Sequence, residues 1–440
     1  MIVDTVLAKL FGTKTKREKT PGMVDPKTGQ GTWPAGRLPH PEPGRGSGIR
    51  ALEIAKPPLL ALALLAVVLA FLNGLLFSFG HSPQFSFALA GSFALYLATR
   101  PSRYEVGVTV FLGVALRMAY GATVGFSSYF GSVWIGFAGF LGVASLLVLA
   151  YRGLRSKRYL AFGTAAFFPF VSILVGFVLV ALRRLSPVTL DARLLAADGT
   201  LGFQPSFVLG SMLIGRPLLW DLTSTVYYAL PFAIALLCAV QFERNFGEVR
   251  RLLCMFIVMS VTGLALYAVC PATGPHYAFR AGYPLTPPHL TYLQLGAALS
   301  PDAPRNAMPS VHFSTALLVF WNTAHMRKAG RIAAGLFLAG MTFAVLALGE
   351  HYLIDVIVAV PFSLLFQAAF TDPSAANSRA RYIAMLSGAV MVAGWLAMLR
   401  LTIQSVVAWP AVACAAFIFT VGLSIWARHR LLVSSAVARI

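Results

Sequence analysis

Carboxylates are scarce in this chain. It has 15 Asp and Glu against 35 Lys and Arg over 440 residues, and charged residues of either sign make up only 11%. A soluble domain carries about 25% charged residues and about half apolar ones; here 58% are hydrophobic. That balance excludes a string of ordinary soluble domains. Cysteine is scarce too. Cys238, Cys254, Cys270 and Cys414 lie in or beside apolar segments with no Cys-x-x-Cys pair, so neither a zinc finger nor a disulfide framework is indicated. They read as small buried hydrophobes. No long apolar run occurs before about residue 55, too late for a cleavable secretory segment. The formal charge of +20 invites a nucleic-acid reading, but no basic face interleaved with aromatics is present.

What the chain does have is long apolar runs, and its mean hydropathy is +0.75. They predict an all-α, polytopic helical membrane protein of about twelve spans. These fall near 57–80, 83–99, 105–122, 131–151, 159–182, 222–241, 252–270, 310–325, 331–349, 352–371, 382–400 and 405–427. Residues 1–55 carry a basic cluster (Lys14, Lys16, Arg17, Lys19) and a Pro/Gly-rich stretch with too few apolar residues for a core, which predicts a disordered tail. With that tail inside, the connections that should be cytoplasmic are all basic, among them Arg152–Arg158, Arg327/Lys328/Arg331 and Arg379/Arg381. The positive-inside rule then places both termini in the cytoplasm of a cell inner or plasma membrane.

Two external connections, about 183–221 and 271–309, are long and rich in Pro and Gly. Loops of that length in a helical bundle usually carry function. The second leads into Arg305-Asn306-Ala307-Met308-Pro309-Ser310-Val311-His312, and a further external junction reads Gly349-Glu350-His351-Tyr352-Leu353-Ile354-Asp355. On the derived topology both stretches sit at the external, or periplasmic, face. His351 and Asp355 are four apart and share a helix face. A carboxylate there can accept the Nδ1 proton of the imidazole and leave Nε2 as nucleophile. Ser310 and the N–H groups of the following helix form a phosphate cradle, and Arg305 a bidentate clamp. Such a set describes phosphoryl transfer without metal.

Pro-Ser-x-His followed about 40 residues later by His-x-x-x-Asp resembles the type 2 phosphatidic acid phosphatase superfamily of membrane lipid phosphatases and phosphotransferases. The resemblance implies a six-helix catalytic core over 159–371, with accessory helices over 56–158 and two C-terminal helices and a tail over 372–440. It implies His351 as the nucleophile that becomes phosphohistidine, His312 as the acid that protonates the leaving group, and Asp355 as the residue that orients His351. No metal or organic cofactor is implied. Phosphatase-type members carry Ser-Arg where this chain has Ala344-Val345, and a lysine-containing motif that is missing ahead of Pro309. These absences, together with Gly274-Pro275-His276-Tyr277, look more like the inositol-phosphorylceramide synthase (inositolphosphotransferase) branch, which moves a phospho-headgroup between lipids.

The expected partners are a phospholipid or lipid-phosphate donor, a lipid or polyol acceptor and the bilayer, with no nucleic acid. Arg280 and Arg305 are assigned to phosphate by position, and His276, Tyr277 and Tyr352 to the headgroup. Asp191, Asp198 and Asp221 read either as contacts to a polar acceptor or as caps and turns, and Glu350 either as a group that tunes His351 or as a wet helix end. Hydrolysis alone, of a lipid phosphate or polyprenyl diphosphate, is the nearest alternative. A transporter is the competing class, but 57–240 and 252–427 show no repeat.

Overall fold

The computed structural model describes residues 83–124, 133–156, 159–242, 246–289, 299, 301–324, 326–372 and 377–437. The basic tail and the first expected span, 57–80, lie outside the described residues. Among those described, the chain is helical, with one isolated bridge between Thr189 and Leu299 and no strand.

The N-terminal group comprises α1 (Pro83–Ala98), α2 (Arg103–Val124), α3 (Val133–Ser156) and α4 (Tyr159–Leu185). Helix α1 is apolar all round and accordingly buried, packed by α3, α4 and α8. Its Ser92 hydroxyl donates to the Ala165 carbonyl of α4 at 2.8 Å. Helix α2 keeps Phe111 and Met118 exposed, as a helix facing hydrocarbon does.

The loop after α4 holds α5 (Asp191–Gly199) and α6 (Pro205–Ser211) and leads into α7 (Pro217–Tyr228) and α8 (Leu230–Phe242), which meet at a bend of 51°. Helix α9 (Phe246–Val269) crosses back to a second loop containing the single turn α10 (Pro275–Ala278). Then come α11 (Val311–Trp321), α12 (Lys328–Ala347), α13 (Leu353–Ala369), α14 (Ser378–Ala397), α15 (Ile403–Val407) and α16 (Pro410–Val437), with a π-helical turn Met398–Thr402 between α14 and α15. Helix α13 is central to this half. It is buried along most of its length against α11, α14 and α16.

Each expected span after the first coincides with a helix or a helix pair, and the protein is an integral membrane protein. Among the described residues four helices are long and apolar enough to cross a membrane, or five if the bent α7–α8 pair is one span. Helix α11 has 11 residues; at 1.5 Å per residue it covers about half of a hydrocarbon core of roughly 30 Å. Hydropathy sums apolar residues along the chain and does not register where a helix ends or bends.

Candidate active site

Three elements bring the site together: the start of α11, the start of α13, and the loop from Thr273 to Tyr283. The loop is locked to the α12–α13 junction by two glycines in left-handed conformation. Gly274 (φ +93°) and Gly349 (φ +70°) face one another so closely that a Cβ on Gly274 would lie 2.4 Å from the Glu350 carbonyl, and one on Gly349 2.8 Å from the His276 Cβ. The His276 N–H donates to the Gly349 carbonyl at 3.0 Å. Only glycine tolerates both the φ and the approach.

Two aspartates on α5 hold the other side. Asp191 is fully buried and accepts from the Thr273 and Gly274 N–H groups and from the Tyr352 hydroxyl at 2.9 Å. Asp198 accepts from the Leu353 and Ile354 N–H groups at 2.7 and 2.9 Å, capping α13. Burial pushes both carboxyls up, Asp198 to about 8, against the pull of those donors. Of the two readings of these aspartates, the geometry favours the cap and the turn.

His351 lies at the centre, fully buried, with His312 at a ring-centroid distance of 6.1 Å. The His351 Nδ1 atom is 2.8 Å from the Ala307 carbonyl and 3.5 Å from Asp355 Oδ2. A carbonyl can only accept, so Nδ1 carries the proton and Nε2 the lone pair. Burial lowers the imidazole to about 4, which keeps Nε2 unprotonated at neutral pH. The tautomer is therefore set mainly by Ala307. Asp355 Oδ2 accepts the Tyr352 N–H at 2.8 Å, closing the first turn of α13. No pattern of side chains encodes this role for Ala307, since the group involved is backbone.

Three buried polar atoms among the described residues have no hydrogen-bond partner: His351 Nε2, Asp355 Oδ1 and Asn306 Oδ1. All three belong to this site. An unsatisfied buried polar atom costs about 1–3 kcal/mol, so such a cluster is expected where a ligand completes the bonding.

Beside them is a cavity of about 290 Å³. Much of its polar lining (Asn306, His312, Glu350, Tyr227, Tyr277) comes from the loops and the helix ends nearest them, and Ser260 adds a hydroxyl from within α9. Its apolar lining, such as Phe168, Ile234 and Phe256, lies further along α4, α8 and α9. The Glu350 carboxylate accepts from Tyr277 at 3.1 Å and Tyr227 at 3.4 Å, and the Tyr227 ring stacks on His312 at 4.2 Å. Burial raises Glu350 to about 7. Among the described residues no Lys or Arg lines this cavity.

Residues 192–369 match the family model of the PAP2 superfamily. The match, less than half of the chain, contains His312, His351 and Asp355 and supports the type 2 phosphatidic acid phosphatase superfamily, whose activity is of the lipid-phosphate phosphatase or phosphotransferase type. Neither the comparison with curated proteins nor that with solved structures gives a match.

Other expected residues stand elsewhere. Arg305 is buried, and its guanidinium donates to four carbonyls, those of Ser186, Pro187, Pro301 and Ala303, at 2.7–2.9 Å. It ties the two loops together and is not presented to a phosphate. Ser310 is also buried, its hydroxyl accepting the Phe313 N–H at 3.2 Å as the α11 cap. Tyr352 is spent on Asp191 and does not reach a headgroup. Arg280 is exposed on the loop after α10 and is not part of the cavity lining. His276 is partly exposed, with its ring edge-on to Tyr277 and Tyr283. Of the three headgroup candidates only Tyr277 lines the cavity. A single motif could not reveal the roles of Arg305 and Tyr352, because their partners Ser186, Pro187 and Asp191 are distant in the chain.

Proposed function

We propose that this chain is a lipid phosphotransferase that works through a phosphohistidine at His351, drawing a singly charged phosphodiester from the external leaflet. The supporting observation is the buried, unpartnered Nε2 of His351, whose lone pair is assured by the bond from Nδ1 to Ala307. Nε2 attacks phosphorus and the lipid alcohol leaves, protonated by His312. An acceptor then attacks the phosphohistidine and yields its proton to His312. Asp355 braces the start of α13 beside the nucleophile. The apolar length of the cavity suits the donor's hydrocarbon.

Charge favours transfer from a diester. A terminal phosphate carries nearly two charges, and cations would have to offset them in a dry site. With Arg305 engaged and no Lys or Arg among the described lining residues, the site suits a donor with one charge.

The test supplies purified protein with phospholipid labelled in its phosphate, with and without alcohol acceptors. Acid-labile label on the protein, absent in His351→Ala and insensitive to EDTA, is expected, with transfer to an alcohol exceeding hydrolysis. Free phosphate or phospho-headgroup as the only product, whatever acceptor is supplied, would establish hydrolysis instead.

A further inference from the structure

Glu350 has no part in the steps above, yet among the described residues it is the only carboxylate lining the cavity, in a site that must admit an anionic phosphate. Such a group opposes phosphate binding, so its presence calls for a ligand that uses it. Its carboxylate is held in place by the hydroxyls of Tyr227 and Tyr277. Tyr227 in turn stacks on His312. The cavity thus offers two hydrogen-bond acceptors, a His312 ring nitrogen and a Glu350 oxygen, both on residues in contact with Tyr227. Water needs only one of them. An alcohol with two or more hydroxyls can give one to each.

We infer that Glu350, oriented by Tyr227 and Tyr277, is the acceptor-binding residue of this site and that the acceptor is a polyol. The inference rests on the phosphohistidine reading. In the step it describes, the bond between His351 Nε2 and phosphorus breaks as one between phosphorus and the polyol oxygen forms. The attacking hydroxyl passes its proton to His312, while a neighbouring hydroxyl donates to Glu350 and fixes the attack direction. A site built to bond a substrate hydroxyl discriminates strongly against an analogue that lacks it. Glycerol should therefore outcompete 1-propanol, although the carbon skeletons match.

The experiment uses the purified full chain, phospholipid labelled in its phosphate, and glycerol, 1-propanol or water as acceptor. Glu350→Gln is read by the ratio of its transfer to glycerol over its transfer to 1-propanol, with labelling measured alongside. Its kcat/KM for glycerol should fall about 10- to 100-fold, the loss of one charge-assisted hydrogen bond, with 1-propanol unchanged. Tyr277→Phe, which frees Glu350 from one holder, should lose part of the glycerol preference, so the test survives a Gln variant that fails to fold. Equal use of glycerol and 1-propanol by the wild type, or an unchanged preference in both variants, would overturn this inference alone. So would labelling that falls as far as transfer, which marks a structural role. A wild type that forms no acid-labile label would instead overturn the phosphohistidine reading, and the acceptor site with it.

Discussion

His351 Nδ1 lies 0.7 Å closer to the Ala307 carbonyl than to Asp355 Oδ2, at 2.8 against 3.5 Å. The backbone just before α11 therefore orients a side chain at the start of α13, and the two halves of the site are built as one unit. Asp355 stands behind, bonded to the Tyr352 N–H. Its substitution should show this. Asp355→Asn keeps the Nδ1 bond to Ala307 and should lower turnover about 10- to 100-fold, while His351→Ala abolishes it. Steady-state transfer by both variants in the same detergent checks the order; equal losses would return the tautomer control to Asp355.

Arg305 should behave as a staple. Arg305→Ala strips donors from four carbonyls and should cost about 3 kcal/mol or more of stability. Lysine, with a point charge in place of a planar fork, should not rescue it. Thermal unfolding reads the loss, and the fraction that remains folded should retain its donor KM. A raised KM at unchanged stability would make Arg305 a phosphate ligand after all.

Glu350 should give stability an alkaline weakness. Its carboxyl titrates at about 7 in the fold against an ordinary 4.5. Below 4.5 it is protonated in both states and its burial has no charge penalty. Between 4.5 and 7 folding takes up a proton, so stability falls with rising pH by up to about 1.4 kcal/mol per unit, and levels off above 7. Glu350→Gln lacks this group. Its unfolding temperature should match the wild type near pH 4 and exceed it at pH 8; parallel curves would place the titration elsewhere.

The membrane orientation can be read directly. Thr286 and Ala329 are both exposed, on opposite sides of the expected topology. Cysteines placed there should be labelled by an impermeant reagent from outside and from inside, respectively. The reverse pattern would move the site to the cytoplasmic leaflet.

The sequence by itself determined the class of fold and the neighbourhood of the chemistry. Fifty-eight per cent apolar residues with few carboxylates leave helices in a bilayer as the stable outcome. Pro-Ser-x-His and His-x-x-x-Asp at either end of one helical hairpin bring His312, His351 and Asp355 close, because chain neighbours crossing a membrane antiparallel meet at the same face. Tertiary structure decided the rest. Helix length and bend set how many segments can span, and hydropathy is blind to both. The assignment of Arg305 to the Ser186 and Pro187 carbonyls and of His351 to the Ala307 carbonyl depends on backbone atoms brought together from distant parts of the chain, and that of Tyr352 depends on Asp191, 161 residues away. Every residue type carries the same carbonyl and N–H, so no residue-type pattern announces which of them will claim a side chain.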